Sequence, residues 1–464
     1  MIQTEIKKLE DVLGEAIQMA KLNQSPQLLS YTNKIESIEP ILYFNQAKLI
    51  ADERMFWSST EDAFFLVGAG EVSCLHGNSD RFSSIEKKWK EMLTNALTIN
   101  PYQKPGTGPI AFGGFSFDPN KEKTSLWLDF KDSQFRVPAF LLTVVEGCSY
   151  LTINVVVQAE DHPKQLTFNI QEKINLLLES STSTLPEASR INSETEINPS
   201  GWKQLVKKAT DTIREDEADK IVLARELKVT FDKVVDPSPV LDKLLKTQTN
   251  SFIFAFESGQ SCFLGATPER LVRVQEQQLL STCLAGTARR GETEKEDKQI
   301  SKSLMEDIKN RQEHQFVVQM IKDAVSVCCE DIYVPEEPSI YALKNLQHLY
   351  TPVQARLKKE FSIIDVIGRL HPTPALGGLP RQKSLAFIRE NEQLDRGWYG
   401  APIGWVDAYD NGEFAVAIRS ALLKGKEGSL FAGCGVVRDS DPEAEYQETT
   451  IKFTPMLSVL GGKS

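Results

Sequence analysis

From Lys220 onward the chain is a succession of short strand-like runs separated by turn chemistry, with its helices kept apart from them. Lys220–Phe231, Ser251–Ser258, Cys262–Gly265 and Leu271–Cys283 read as strands, the last with a polar middle. Ile403–Asp407, Phe414–Leu423 and Ser429–Ala432 read likewise. The helices are one behind Asn198-Pro199-Ser200, a long stretch from about Thr293 to Glu330, and a last one over Pro442–Leu460. Tightly linked strands with segregated helices require antiparallel pairing. The expected class is α+β, with large antiparallel sheets packed as a core and helices outside.

The segment 179–201 is rich in Ser, Thr, Glu and Pro and reads as a linker or long surface loop. It divides the chain into 1–195 and 196–464. The first part shows strands at Ala63–Val67, Phe140–Val145 and Thr152–Val157, and no chemical constellation. It is expected to be scaffold that completes the same sheet core. Its pairs Gly68/Gly70 and Gly106/Gly108 lack the third glycine of a dinucleotide loop and read as hairpin turns. The terminal Gly461-Gly462-Lys463-Ser464 resembles a phosphate loop, but Leu457 stands where its first glycine belongs.

The chain has 464 residues and a net charge of −11, which argues against nucleic acid and anionic membranes as partners. No apolar run approaches the roughly 20 residues of a membrane span. Seven cysteines without a C-x-x-C pair suggest reduced thiols and a cytoplasmic setting.

Several residues stand out against this background. Glu313 sits in a helical stripe with Val317, Met320 and Ala324, where a carboxylate must be neutral, paired or metal-bound. Glu445, Glu448 and Lys452 fall at i, i+3 and i+7 of the last helix, which by spacing alone is a solvated face with ion pairs. Two carboxylates from separate helices would suit Mg²⁺ if a substrate supplied further oxygens. Lys220 opens a strand and shares a face with Val222, Ala224 and Glu226. It fits an edge-strand charge or a base. Gly265-Ala266-Thr267-Pro268-Glu269 is a strand end that presents Glu269 after a turn. Leu284-Ala285-Gly286-Thr287 is a small-residue loop whose backbone can approach an anion.

Taken together, these residues resemble the chorismate-binding enzyme family. The segments are KIVLARE (220–226), FLGATPERLVR (263–273), LAGTARRG (284–291), NRQEH (310–314), HPTPALGG (371–378), GWYGAPIGW (397–405), AIRSA (417–421), FAGCGVV (431–437) and DPEAEYQETTIK (441–452). They occur in the family's order across the whole C-terminal part. Within the family, Lys220 marks the water-using branch, in which it is the general base. Ala285 replaces the nucleophilic lysine of the aminodeoxychorismate synthases. Ala375 stands where the pyruvate-expelling lyases tend to carry threonine. The three positions imply conversion of chorismate to isochorismate, with salicylate or anthranilate formation as the rival chemistries. The long N-terminal half looks more like the menaquinone-pathway type than the siderophore type.

The resemblance also implies roles. Lys220 would deprotonate water for attack at C2, and Glu269 would protonate the departing C4 hydroxyl. Mg²⁺ would be held by Glu313 and Glu448, with Glu445 acting through water. Arg419 would clamp the enolpyruvyl carboxylate. Tyr399, Lys452, Thr287, Gly286, Gly433, Gly435 and His371 would complete the substrate site. No glutaminase subunit is expected. The family often has an acid where this chain has Asn310.

Overall fold

The computed structural model describes residues 3–59, 62–77, 80–179, 184–342 and 346–462, with side chains from residue 7. Among them, 13 strands form one sheet and ten form another. The larger sheet runs from the edge strand Ile191–Glu196 through Lys220–Phe231, Glu427–Val436, Ser420–Lys424, Ser261–Thr267 and Phe252–Ser258. It continues through Arg54–Ser59, Phe64–Ala69, Phe140–Val145, Cys148–Val157, Gln27–Ile35 and Ala96–Ile99, and the short strand Gly378–Leu379 joins Lys220–Phe231. The smaller sheet runs Cys329–Tyr333, Leu346–Leu357, Gln278–Arg289, Arg270–Gln275, Gly412–Val416, Pro402–Asp407, Ile110–Phe115, Ser133–Val137 and Ser73–His76, and Ser339–Ala342 joins Leu346–Leu357. Among these strands the one parallel pair is Gln27–Ile35 with Ala96–Ile99. The class is the expected α+β.

Both sheets contain strands from either side of residue 196. Phe252–Phe256 pairs with Met55–Ser59 in the larger sheet, and Ile403–Asp407 with Ile110–Gly114 in the smaller. The segment 179–201 is more than a linker, because Ile191–Glu196 pairs with Leu227–Phe231.

Alternation of apolar residues explains the layers. One face of the larger sheet buries Phe56, Val67, Leu142, Ile253 and Leu264 under helices that include Gln3–Asn23, Pro163–Leu178 and Pro442–Leu460. The other face meets the smaller sheet through an aromatic layer containing Trp57, Phe112, Phe254, Phe263, Trp398 and Trp405. Phe64 from one sheet stacks on Trp405 from the other at 5.3 Å, a favourable offset contact beyond simple area burial. Helices Arg81–Thr94, Ile308–Ser326 and Ile363–Leu370 cover the outer face of the smaller sheet. No helix among the described residues is long and apolar enough to cross a membrane.

Four local readings are corrected. The stretch 293–330 is two helices, Glu294–Glu306 and Ile308–Ser326, broken at Asp307, whose side chain accepts from the Asn310 N–H and caps the second helix. Leu271–Cys283 is a hairpin whose turn residues Glu276 and Gln277 both have positive φ. Phe414–Leu423 is two strands in different sheets. Gly68–Gly70 and Gly106–Gly108 lead from one sheet to the other and are not hairpin turns. Gly461, at φ 92°, caps the last helix; Lys463 and Ser464 of the phosphate-loop lookalike lie outside the described residues.

Candidate active site

Two neighbouring crossovers between the sheets present Glu269 and Arg419. Strand Ser261–Thr267 belongs to the larger sheet and Arg270–Gln275 to the smaller, so Pro268-Glu269 bridges them. In the other direction, residues 417–419 connect Gly412–Val416 to Ser420–Lys424. The crossovers hold each other: the Val416 N–H donates to the Glu269 carbonyl at 3.0 Å, and the Ala266 N–H to the Arg419 carbonyl at 3.1 Å. Arg419 sits at φ 51°, a left-handed conformation that a non-glycine residue keeps only when its surroundings enforce it.

These crossovers border a cavity of about 510 Å³ between the sheets. Lys220, Glu269, Gly286, Thr287, Glu313, Tyr399, Arg419, Gly433, Gly435, Glu448 and Lys452 all line it. Val222 and Ala224 line it beside Lys220, while Ile221 and Leu223 face the outer core, as strand alternation requires. Lys220 Nζ lies 2.5 Å from Glu313 Oε1. Lys452 Nζ lies 2.7 Å from Glu448 Oε1 and donates to the Gly433 carbonyl at 2.8 Å. The glycines are needed for space. A Cβ at Gly435 would meet Lys220 Cε at 2.5 Å, and one at Gly433 would meet the Leu223 carbonyl at 2.9 Å.

Two of the expected residues are not among those that line the cavity. His371 ends helix Ile363–Leu370, is buried, and places Nε2 3.0 Å from the Phe117 carbonyl; it does not line the cavity. Its ring ties the end of that helix to the segment at Phe117. Glu445 also lies outside the cavity lining, and its Oε1 accepts from Ser440 Oγ at 2.7 Å. The i, i+3, i+7 stripe therefore brings two of its three residues to the cavity.

The electrostatics separate the acids. Glu269 is half-buried by area, since the cavity leaves it within reach of solvent, yet protein surrounds it on the other sides. That burial pushes its carboxyl up to about 7, against the opposing pull of Lys220, Lys452 and Arg419. Burial lowers the Arg419 guanidinium from its ordinary value, with Tyr399, Glu448 and Glu269 pulling the other way. Burial raises the Tyr399 phenol. The negative chain thus concentrates Lys220, Arg419 and Lys452 in one cavity, a fit for a dicarboxylate.

Several cavity residues were missed, His348 among them. His348 Nδ1 shares a 2.9 Å hydrogen bond with Thr287 Oγ1, and burial, with Arg419 and Lys452 nearby, lowers its ring to about 4. It is neutral at physiological pH and orients the Thr287 hydroxyl. Its sole sequence cue is the run Leu346-Gln347-His348-Leu349-Tyr350, which says nothing about pairing with 284–289.

Among the described residues, no group of three or more His, Cys, Asp or Glu side chains is disposed to hold a metal ion. Glu313 and Glu448 do offer carboxylate oxygens to one cavity. That donor set fits Mg²⁺, which keeps waters and takes oxygens from its substrate, and does not fit a closed protein cage.

A lysine and a carboxyl that burial pushes up to about 7, beside two further cations and two acids able to offer oxygens to a metal, make a cavity suited to a small polyanion. The chain belongs to the chorismate-binding enzyme family: the profile described as "Chorismate binding enzyme" matches residues 15–461. It is similar to isochorismate synthase MenF of Bacillus subtilis (strain 168), with 40% identity over 100% of both chains. It is also similar to the salicylate biosynthesis isochorismate synthase of Pseudomonas aeruginosa, with 34% identity over 98% of this chain and 95% of that one. Among solved structures it matches MenF, the menaquinone-specific isochorismate synthase from Escherichia coli, at TM-score 0.79 and 25% identity, covering 97% of this chain and 99% of that one.

Proposed function

We propose that this protein is an Mg²⁺-dependent isochorismate synthase that serves menaquinone biosynthesis. The observation that carries the reading is the placement of Lys220 and Glu269 on the walls of one cavity of about 510 Å³, where burial pushes the Glu269 carboxyl up to about 7. The names of the full-length relatives support the substrate and the reaction.

Lys220 takes a proton from water, whose oxygen bonds to C2 of the ring. The C1=C2 and C5=C6 double bonds shift to C1=C6 and C4=C5, the C4–O bond breaks, and Glu269 protonates the leaving hydroxyl. One water enters and one leaves, so the reaction is an isomerisation. Burial, which pushes the Glu269 carboxyl up to about 7, favours the protonated form that this step requires. Arg419 offers a two-pronged donor to the enolpyruvyl carboxylate. Tyr399, Thr287 and the backbone at Gly286, Gly433 and Gly435 complete the contacts. Glu313 and Glu448 are the residues that would hold Mg²⁺. The ion supplies charge neutralisation and orientation at the ring carboxylate.

Ala285 carries no nucleophile, which weighs against a covalent amino-transfer route. The test is product identification by chromatography and mass spectrometry. Purified protein is given chorismate and Mg²⁺, with and without ammonium. Isochorismate in both arms supports the reading. Anthranilate, or pyruvate with salicylate, rejects it.

A further inference from the structure

We propose that Arg225 is a positioning residue that sets the roll of the last helix, and thereby the places of Glu448 and Lys452 in the cavity. The proposal rests on the reading of those two residues as ligand-holding groups.

Arg225 follows Lys220 on the same strand but points to its opposite face, where it is 4% exposed. Its Nε donates to Thr449 Oγ1 at 2.7 Å. Its Nη2 donates to Thr450 Oγ1 at 2.6 Å and to the Tyr446 carbonyl at 3.3 Å. The guanidinium lies 3.9 Å from the Tyr446 ring centroid and 4.9 Å from that of Phe453. From strand Ile191–Glu196, Glu196 Oε1 stands 3.5 Å from Nη1.

The four helix residues gripped, 446, 449, 450 and 453, fall at i, i+3, i+4 and i+7 and form one face. Glu448 and Lys452 form another, rotated by roughly a third of a turn. Apolar packing resists separation of helix from sheet but only weakly resists roll. A planar fork with three directional bonds resists it strongly. Roll matters here because side chains extend to about 5–6 Å from a helix axis, so 10° of roll moves a carboxylate by about 1 Å. An error of that size can cost about a hundredfold in rate. The helix also needs an external hold, because Pro455 lies inside it and leaves the Ile451 carbonyl without its usual N–H donor.

The experiment compares Arg225→Met, Arg225→Lys and the pair Thr449→Val with Thr450→Val. Thermal unfolding establishes that each is folded. Mn²⁺ binding is followed by electron paramagnetic resonance, chorismate binding is measured in a non-turning Glu269→Gln background, and kcat, KM and the pH profile are measured with Mg²⁺. The expected result is at least a tenfold weakening of Mn²⁺ and chorismate binding in Arg225→Met and in the threonine pair, and an intermediate loss in Arg225→Lys. The pH-profile limb near 7 stays in place. Folded variants that bind both probes within twofold of the parent overturn the proposal, as does a loss confined to kcat. Should Arg225→Met not fold, the threonine pair decides. A parent that makes no isochorismate rejects the functional reading, whereas the binding data still judge the clamp.

Discussion

Lys220 Nζ rests 2.5 Å from Glu313 Oε1, so the proposed base and a proposed metal ligand are in direct contact. Lys220 comes from the larger sheet and Glu313 from a helix over the outer face of the smaller one. The contact therefore ties the two sides of the cavity together.

Lys220→Ala should lower turnover by about 10²–10⁴-fold, the usual contribution of a general base. Chorismate binding, which we propose is held mainly by Arg419 and Lys452, should change little. Kinetics combined with calorimetric binding check this, and a near-normal rate would remove Lys220 from the role.

Glu269 must be protonated to act as the acid, so activity should fall as pH rises through about 7. The same group makes a stability prediction. Its folded value lies above its unfolded one, so its favourable contribution is present below about 4.5 and is lost as pH rises through about 7. Glu269→Gln, which cannot ionise, should abolish turnover and gain thermal stability relative to the parent between pH 5 and 8. Parallel melting curves across that range would speak against the shift.

Gly435→Ala separates site geometry from folding. The added methyl meets Lys220 Cε, a flexible side-chain atom that can move aside. The variant should unfold at nearly the parent temperature while kcat falls by about 10²-fold, because Nζ is displaced. An unchanged kcat would show that Lys220 reaches its working position by another path.

A test away from the cavity concerns Glu257, whose carboxylate receives the Arg54 Nη2 at 2.6 Å and Nε at 2.7 Å in a buried pair. These residues lie on the paired strands that join the two parts of the chain. Glu257→Gln leaves a buried guanidinium without its charge partner and should cost about 3–5 kcal/mol in denaturant unfolding. A loss below 1 kcal/mol would mean that water or a neighbour replaces the carboxylate.

Periodicity revealed the strands Lys220–Phe231 and Phe140–Val145 and the helix Pro442–Leu460, because their apolar faces are continuous. It failed where the chain changes layer. Crossovers such as 417–419 interrupt an apolar run without any Gly or Pro to mark them, and Arg419 occupies a conformation that its residue type does not advertise. Order along the chain located most of the cavity residues, since the resemblance carries positions one by one. His371 and Glu445, whose polar atoms serve Phe117 and Ser440, fall outside the cavity lining, and His348, which reaches the site through long-range strand pairing, was overlooked.

The pairing of Arg54–Ser59 with Phe252–Ser258 has a consequence for biosynthesis. Roughly 200 residues separate the two strands, so a ribosome working at about 5–20 residues per second delivers the second some 10–40 s after the first. During that interval the earlier strand, rich in Met, Phe and Trp, has an open edge of the kind that invites aggregation. The nascent chain must therefore be shielded before its first half can close, and slower elongation or lower chaperone capacity should reduce soluble yield without altering the finished enzyme.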